Sequence, residues 1–352
     1  MRNEWTAAAV LTCFACGGAP ATTLDADGGG GQPDTGTTSP DAGTDSSVSP
    51  TVVLPLSIAF TFHMEGASLV ADKAAFDRYV TDIRATSALF LANGAVATWE
   101  AAEIVQKSID YKVNILKELE TAGHAIGLHA NGAGYVPTDK NYTTEKMITE
   151  LQKQRAAIDS LDVKVRHVSN ICSAVDWVKA VEATNFEAVT GVVEYCLKSL
   201  PAASQGTAAS CDAPNNCHTP YPKDTTKSIS SWFAESGSNW TTPASSGLLI
   251  LPTSGAVPCS AEEAGGAVSP TQCKYGTDDV TATLAQIDIA VASRQPGKVH
   301  SHILVASFGQ TPNAQMIESL LQQIKSKYVD TGKAKWIKIP DLIDLRKSAP
   351  AL

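Results

Sequence analysis

Histidines and carboxylates recur at the ends of apolar runs in this chain, with spacings that suit metal ligation. The run Ala59-Phe60-Thr61-Phe62 ends in His63-Met64-Glu65-Gly66. Strand side chains alternate, so His63 and Glu65 face one way and Phe62 and Met64 the other. An imidazole and a carboxylate converging at a strand end make half of a metal site. A second run, His124-Ala125-Ile126-Gly127-Leu128-His129, both opens and closes with histidine. His124 falls at the N-terminal end and His129 at the end where His63 and Glu65 lie, so the two do different work. His300 and His302 alternate on a third run, Val299-His300-Ser301-His302-Ile303-Leu304. His124 and His167 read as hydrogen-bonded core residues, the usual state of a lone strand histidine. Trp232, Phe233 and Trp240 read either as a sugar-stacking platform or as a satellite core.

Such groups need a frame that gathers strand ends. After Thr51 short apolar runs alternate with helical patterns, the rhythm of a parallel sheet with crossover helices. Strands are expected over 52–62, 87–91, 124–129, 163–169, 186–193, 247–252, 298–307 and 335–339. Helices are expected over 71–83, 98–121, 144–161, 176–183, 278–293, 314–328 and 341–347, the second carrying a stripe of Val105, Ile109, Val113 and Leu116 and ending at Gly123. The result is an α/β fold, a distorted or incomplete (β/α) barrel of about seven strand–helix units with disulfide-stapled loops; working residues in such a barrel stand at the C-terminal ends of strands.

The 352 residues, 43% hydrophobic, suffice for one large core. A net charge of -9 repels phosphate backbones, which argues against nucleic acid as a partner. No apolar run beyond the first residues approaches the roughly 20 that a membrane-spanning helix needs. Cys172, Cys196, Cys211, Cys217, Cys259 and Cys273 lie outside any CxxC pair and read as three disulfides formed in an oxidising compartment. Sequence proximity alone pairs Cys211 with Cys217, Cys259 with Cys273 and Cys172 with Cys196. Residues 1–16 resemble a bacterial lipoprotein signal with Cys16 as the lipidated residue; Cys13 is an alternative anchor and a plain secretory peptide an alternative reading. Residues 17–50, nearly all Gly, Pro, Asp, Ser, Thr and Ala, read as a disordered tether, and 51–352 as the folded domain. The expected product is an exported monomer, lipid-anchored at the bacterial membrane or cell surface or otherwise secreted, that touches membrane only through its lipid.

Three segments resemble the polysaccharide deacetylases, a carbohydrate esterase family with an incomplete (β/α) barrel. Thr61-Phe62-His63-Met64-Glu65-Gly66 stands where that family has Thr-Phe-Asp-Asp-Gly. The stretch from Leu116 through Gly123-His124-Ala125-Ile126-Gly127-Leu128-His129 is similar to its helix followed by Gly-His-Glu-Ile-Gly-Asn-His, and Ser87-Ala88-Leu89-Phe90-Leu91 resembles its second strand. The resemblance runs from about Val52 to Leu345. It departs at the first motif, where His63, Met64 and Glu65 replace two aspartates. It departs again at Ala133, where the family has its second metal histidine, and in Arg166-His167-Val168-Ser169-Asn170, where only Arg166 matches an Arg-Pro-Pro-Tyr-Gly motif.

The resemblance implies a metal-dependent hydrolase that removes acetyl groups from a polysaccharide. His63, Glu65 and His129 would hold a divalent metal, zinc by expectation, His302 would protonate the leaving group, and Glu65 or Asp176 would activate water. Arg166, Trp232 and Trp240 would bind the acetylated glycan. The altered motif leaves open a second reading, an inactive barrel serving as a surface carbohydrate-binding or scaffolding lipoprotein.

Overall fold

Strand β1 (Leu56–Met64) alternates Leu56, Ile58, Phe60, Phe62 and Met64 with Ser57, Ala59, Thr61 and His63, a two-residue period that commits each set to one face. The computed structural model describes residues 52–130, 141–211, 217–256, 276–308 and 314–349. The segments expected to be a signal and a tether, with Cys13 and Cys16, and also Ala133, Cys259 and Cys273, lie outside these.

Around β1 is a sheet of β2 (Thr98–Ala101), β3 (Ala125–His129), β4 (Val165–Ser169), β5 (Ala188–Thr190), β6 (Trp232–Ala234), β7 (Leu248–Leu251), β8 (Gly255–Ala256), β9 (Ser301–Ser307) and β10 (Ala334–Trp336). The order is β6-β7-β5-β4-β3-β2-β1-β9-β8, with β10 beside the start of β1. Every pairing is parallel except that of β6 with β7. β7 pairs with β5 on one side and the edge strand β6 on the other, β8 is the opposite edge beside β9, and only residues 252–254 separate β7 from β8. One segment therefore joins the last parallel strand on one side of the sheet to the edge strand on the other.

The two faces bury different things. Outward, Phe60, Phe62, Trp99, Ile126, Leu128, Val168, Val189, Ile250 and Leu304 pack under the crossover helices. Inward, Ala59, Ala188, Leu249, Leu251, Ile303 and Val305 pack on Ile339, Leu342 and Ile343 of the last helix, α9 (Ile339–Ser348). The Ile339 amide donates to Thr98 Oγ1 at the start of β2, so α9 lies at the N-terminal ends of the strands. The inner face is left for polar groups at the C-terminal ends.

The crossover helices are α1 (Lys73–Ala92), α2 (Ile104–Tyr111), α3 (Ile115–Thr121), α4 (Thr144–Asp159), α5 (Trp177–Ala183), a short α6 (Thr225–Ser228), α7 (Thr277–Ala292) and α8 (Ala314–Ile324). Two expectations are corrected here. Residues 87–91 are not a strand but the last turns of α1: Phe76, Tyr79, Val80, Ile83, Ser87 and Phe90 are one buried helical stripe, which the local run Ala-Leu-Phe-Leu obscures. The helix expected over 98–121 begins instead with β2 and then divides into α2 and α3, because Thr98-Trp99-Glu100-Ala101 is fully buried and pairs with β1 and β3. The likeness drawn from Ser87 to Leu91 therefore falls on a helix.

Cys172 is bonded to Cys196 and Cys211 to Cys217, as proximity suggested. The first bridge ties the segment after β4 to the segment after β5. Among the described residues no helix is long and apolar enough to cross a membrane.

Candidate functional site

At the C-terminal end of the inner face, neighbouring strands bring histidines against carboxylates. His63 ends the inward set of β1, Glu100 shares its face on β2 with Thr98, and His129 closes β3. Their ligand atoms lie within 4.8 Å of one another, and all three residues are buried. His63 Nε2 stands 3.0 Å from Glu100 Oε2, and the rings of His63 and His129 are 4.4 Å apart. His129 Nδ1 is 2.9 Å from Ser169 Oγ at the end of β4. Its Nε2 is 3.1 Å from Glu65 Oε2, while Ser307 Oγ, at the end of β9, donates to Glu65 Oε1 at 3.1 Å. Glu65, with a side chain 34% exposed, is the rim of this group; Glu100, at 0%, is its floor.

Glu100 has further company. Thr190 Oγ1, at the end of β5, donates to its Oε1 at 2.6 Å, and His167 Nε2 lies 3.2 Å from the same oxygen. Burial by itself would push the Glu100 carboxyl up. The imidazoles of His167 and His63 outweigh that and hold it well below the usual carboxylate range. A fully buried carboxylate without partners would cost several kcal/mol, so this arrangement depends on its cationic or metallic neighbours. Gly127 gives the cluster room, since a Cβ there would stand 2.2 Å from His167 Nε2; Gly191, near His63, is a glycine for its left-handed backbone at φ 65.

The donors fit a divalent ion. Two imidazoles and one carboxylate form the His2Glu set of catalytic zinc sites, which leaves a further position open to water or substrate. Glu100 Oε2 is fully buried and 3.0 Å from His63 Nε2, yet it makes no aligned hydrogen bond among the described residues. Donors that crowd one point without pairing squarely are what an ion at that point requires. Ser169 at Nδ1 orients His129 as a partner behind a ligand does.

Of the residues expected to act, His63, His129 and Glu65 come together here. Glu100 stands in the three-donor group where Glu65 had been expected, and Glu65 touches that group from the rim. Four other expectations are corrected. His302 is on the helix-facing side of β9, opposite Ile58, at the far end from the site, and burial drives its pKa down to about 4. Asp176 caps α5, accepting from the amides of Lys179 and Gly237. Arg166 is held by Glu187 and by Asp344 and Pro340 O of α9, at the end of the strands opposite the site. Trp240 is fully buried, donating to Cys196 O, with Trp232 stacked on it and donating to Trp240 O; with Trp177 and Tyr221 they form a satellite core rather than a platform.

His124 does read as a structural residue: Ser87 Oγ and the Ala97 amide engage its two nitrogens. Glu100 escaped the sequence reading, and His167, expected as a hydrogen-bonded core residue, stands instead beside the Glu100 carboxylate. Glu100 lay within an expected helix. His167 faces inward because β4 holds one residue more than β3 between shared pairings, Ile126 and Leu128 facing Val165 and Val168.

No family model and no curated protein matches this chain. Among solved structures, similarity is distant. A Mycobacterium smegmatis protein provisionally described as a polysaccharide deacetylase aligns at TM-score 0.49 and 13% identity over 87% of this chain and 96% of its own. The Bc1960 peptidoglycan N-acetylglucosamine deacetylase aligns at TM-score 0.35 and 13% identity over 83% and 90%. The 4-alpha-glucanotransferase of Thermococcus litoralis aligns at TM-score 0.49 and 12% identity over 82% of this chain, which spans 40% of its length.

Proposed function

We propose that this chain is a metal-dependent hydrolase that removes N- or O-linked acetyl groups from a polysaccharide outside the cell. The observation that carries the reading is the convergence of His63, Glu100 and His129 within 4.8 Å at the C-terminal ends of parallel strands, beside the partly exposed carboxylate of Glu65. The segment that places β7 beside β5 and β8 beside β9 supports reading the fold as a distorted or incomplete (β/α) barrel, whose strand ends are where such chemistry is placed. The resemblance of Thr61 to Gly66 and of Gly123 to His129 to the deacetylases supplies the substrate class. A lipid on Cys16 and a tether over 17–50 would hold the domain near a cell-surface glycan, with the disulfides suited to that compartment.

His63, Glu100 and His129 would hold the ion, and Ser169 would fix the His129 ring. When bound, a divalent ion supplies Lewis acidity toward the acyl carbonyl and lowers the pKa of water toward about 7. Glu65 is placed to take the proton of the attacking water and return it to the leaving amine or alcohol, as one group serving in turn as base and acid. Ser307 Oγ holds that carboxylate at Oε1, while its Oε2 lies beside His129 Nε2, the nitrogen that would turn to the ion. His302 takes no part, because its strand position and face separate it from these groups.

The test is metal analysis of the purified protein together with acetate release from acetylated chito-oligosaccharides and xylan. Bound divalent metal lost in His129→Ala, with acetate release lost in parallel, is the expected result. Protein without metal, whose stability ignores chelator, would leave the cluster as a closed histidine–carboxylate network and favour a carbohydrate-binding or scaffolding role.

A further inference from the structure

We infer that His167 and Thr190 are positioning residues that commit one oxygen of Glu100 and so present the other alone to a metal, an inference that rests on the metal reading above. The two carboxylate oxygens are used differently. Oε1 accepts a hydrogen bond from Thr190 Oγ1 at 2.6 Å, and His167 Nε2 lies against the same oxygen at 3.2 Å without an aligned hydrogen bond. Oε2 faces His63 Nε2 at 3.0 Å and is the oxygen that makes no aligned hydrogen bond among the described residues. Turning the carboxylate to exchange them would break both contacts at Oε1.

Three strands are shaped for this one oxygen. β5 ends in Thr190, whose hydroxyl reaches Oε1. β4 carries the extra residue that turns His167 inward. β3 places Gly127 directly across from Glu100, and any Cβ there would meet His167 Nε2 at 2.2 Å, His167 Cε1 at 2.6 Å and Glu100 Cγ at 3.0 Å. A core histidine needing only burial would not require its neighbour to surrender a side chain. A carboxylate with one oxygen tied is a one-oxygen ligand, which keeps the coordination number low and a position open for water.

Cobalt(II) added to the metal-free full-length chain tests the assignment, because its visible absorption is strong in four-coordinate sites and weak at higher coordination. Its affinity is read by competition with a chelator. We expect His167→Ala and Thr190→Val each to weaken cobalt binding by roughly 10–100-fold, the cost of losing a partner behind a ligand. Both should also dim the visible bands as the freed oxygen joins the ion. His167→Gln, whose amide keeps a polar N–H beside Oε1, should recover part of both signals, which a purely structural role would not produce. Wild-type affinity and spectrum in His167→Ala and Thr190→Val would overturn the assignment while leaving the metal reading intact. Should His167→Ala not fold, Thr190→Val decides alone, since it removes one hydroxyl at nearly constant volume. A wild-type chain that takes up no cobalt overturns the metal reading itself, and this inference with it.

Discussion

On the inner face of the sheet His63, His129 and His167 meet Glu100 and Glu65, whereas on the outer face of β9 His302 meets no hydrogen-bond partner among the described residues. The side chains are chemically identical and the strands adjacent. Inside, at the C-terminal ends, the apolar filling stops and carboxylates from β2 and the β1 end supply charge and acceptors. Outside, crossover helices cover the strand with Leu, Ile and Phe, and burial alone decides, so His302 is held neutral. A histidine in a strand is thus informative only together with its face and its height along the strand.

That contrast can be broken at either pole. The largest effect is expected from Glu100→Ala, which removes the buried carboxylate and leaves His63 and His167 facing an unpaired space. Metal content should fall to background, with acetate release lowered by more than the roughly 10–100-fold that loss of a supporting partner costs. Elemental analysis beside the acetate assay reads both, and a variant that retains metal and rate would remove Glu100 from the site.

Next is the outer pole. Because the folded-state pKa of His302 is about 4 against 6.5 for the free side chain, the unfolded chain binds the proton first. The stability this contributes is full above about pH 6.5 and disappears as pH falls through 4, amounting to about 3 kcal/mol. His302→Leu should therefore flatten stability over that window in urea unfolding at stepped pH, while acetate release at neutral pH stays as in the wild type. A folded His302→Leu protein without activity would return His302 to catalysis and erase the contrast.

Ser169→Ala sharpens the inner pole with a smaller change. It frees the His129 ring at Nδ1, and metal affinity should drop about tenfold with the fold intact, read by chelator competition. The smallest effect belongs to Asp176→Ala. Its loss from the start of α5 should cost about 1 kcal/mol in thermal or urea unfolding and leave metal content unchanged, as befits a helix cap. Metal loss in that variant would contradict its placement.

The helix and strand rhythm was legible because burial enforces periodicity: β1, β3, β4, α4, α7 and α9 fall near where alternation and stripes put them. The second strand was not. Ser87 to Leu91 looks like a strand in isolation and becomes helix only through its register with Phe76 and Ile83. Thr98 to Ala101 is too short to show a period. The site was half legible for the same reason. His63, Glu65 and His129 announce themselves at the ends of clear strands, while Glu100 sits in the strand that local pattern hid.

By itself the sequence determined which residues alternate along each clear strand, where histidine and carboxylate close it, and which cysteines are near enough to bridge. Only the tertiary structure decided which of those side chains meet. Strand pairing sets the height of one strand against the next, so Glu100 comes level with His63 and Gly127. A single extra residue in β4 reverses the facing of every position after it, turning His167 toward Glu100. Neither height nor facing is a local property of the chain, because both arise from hydrogen bonds between segments far apart in sequence.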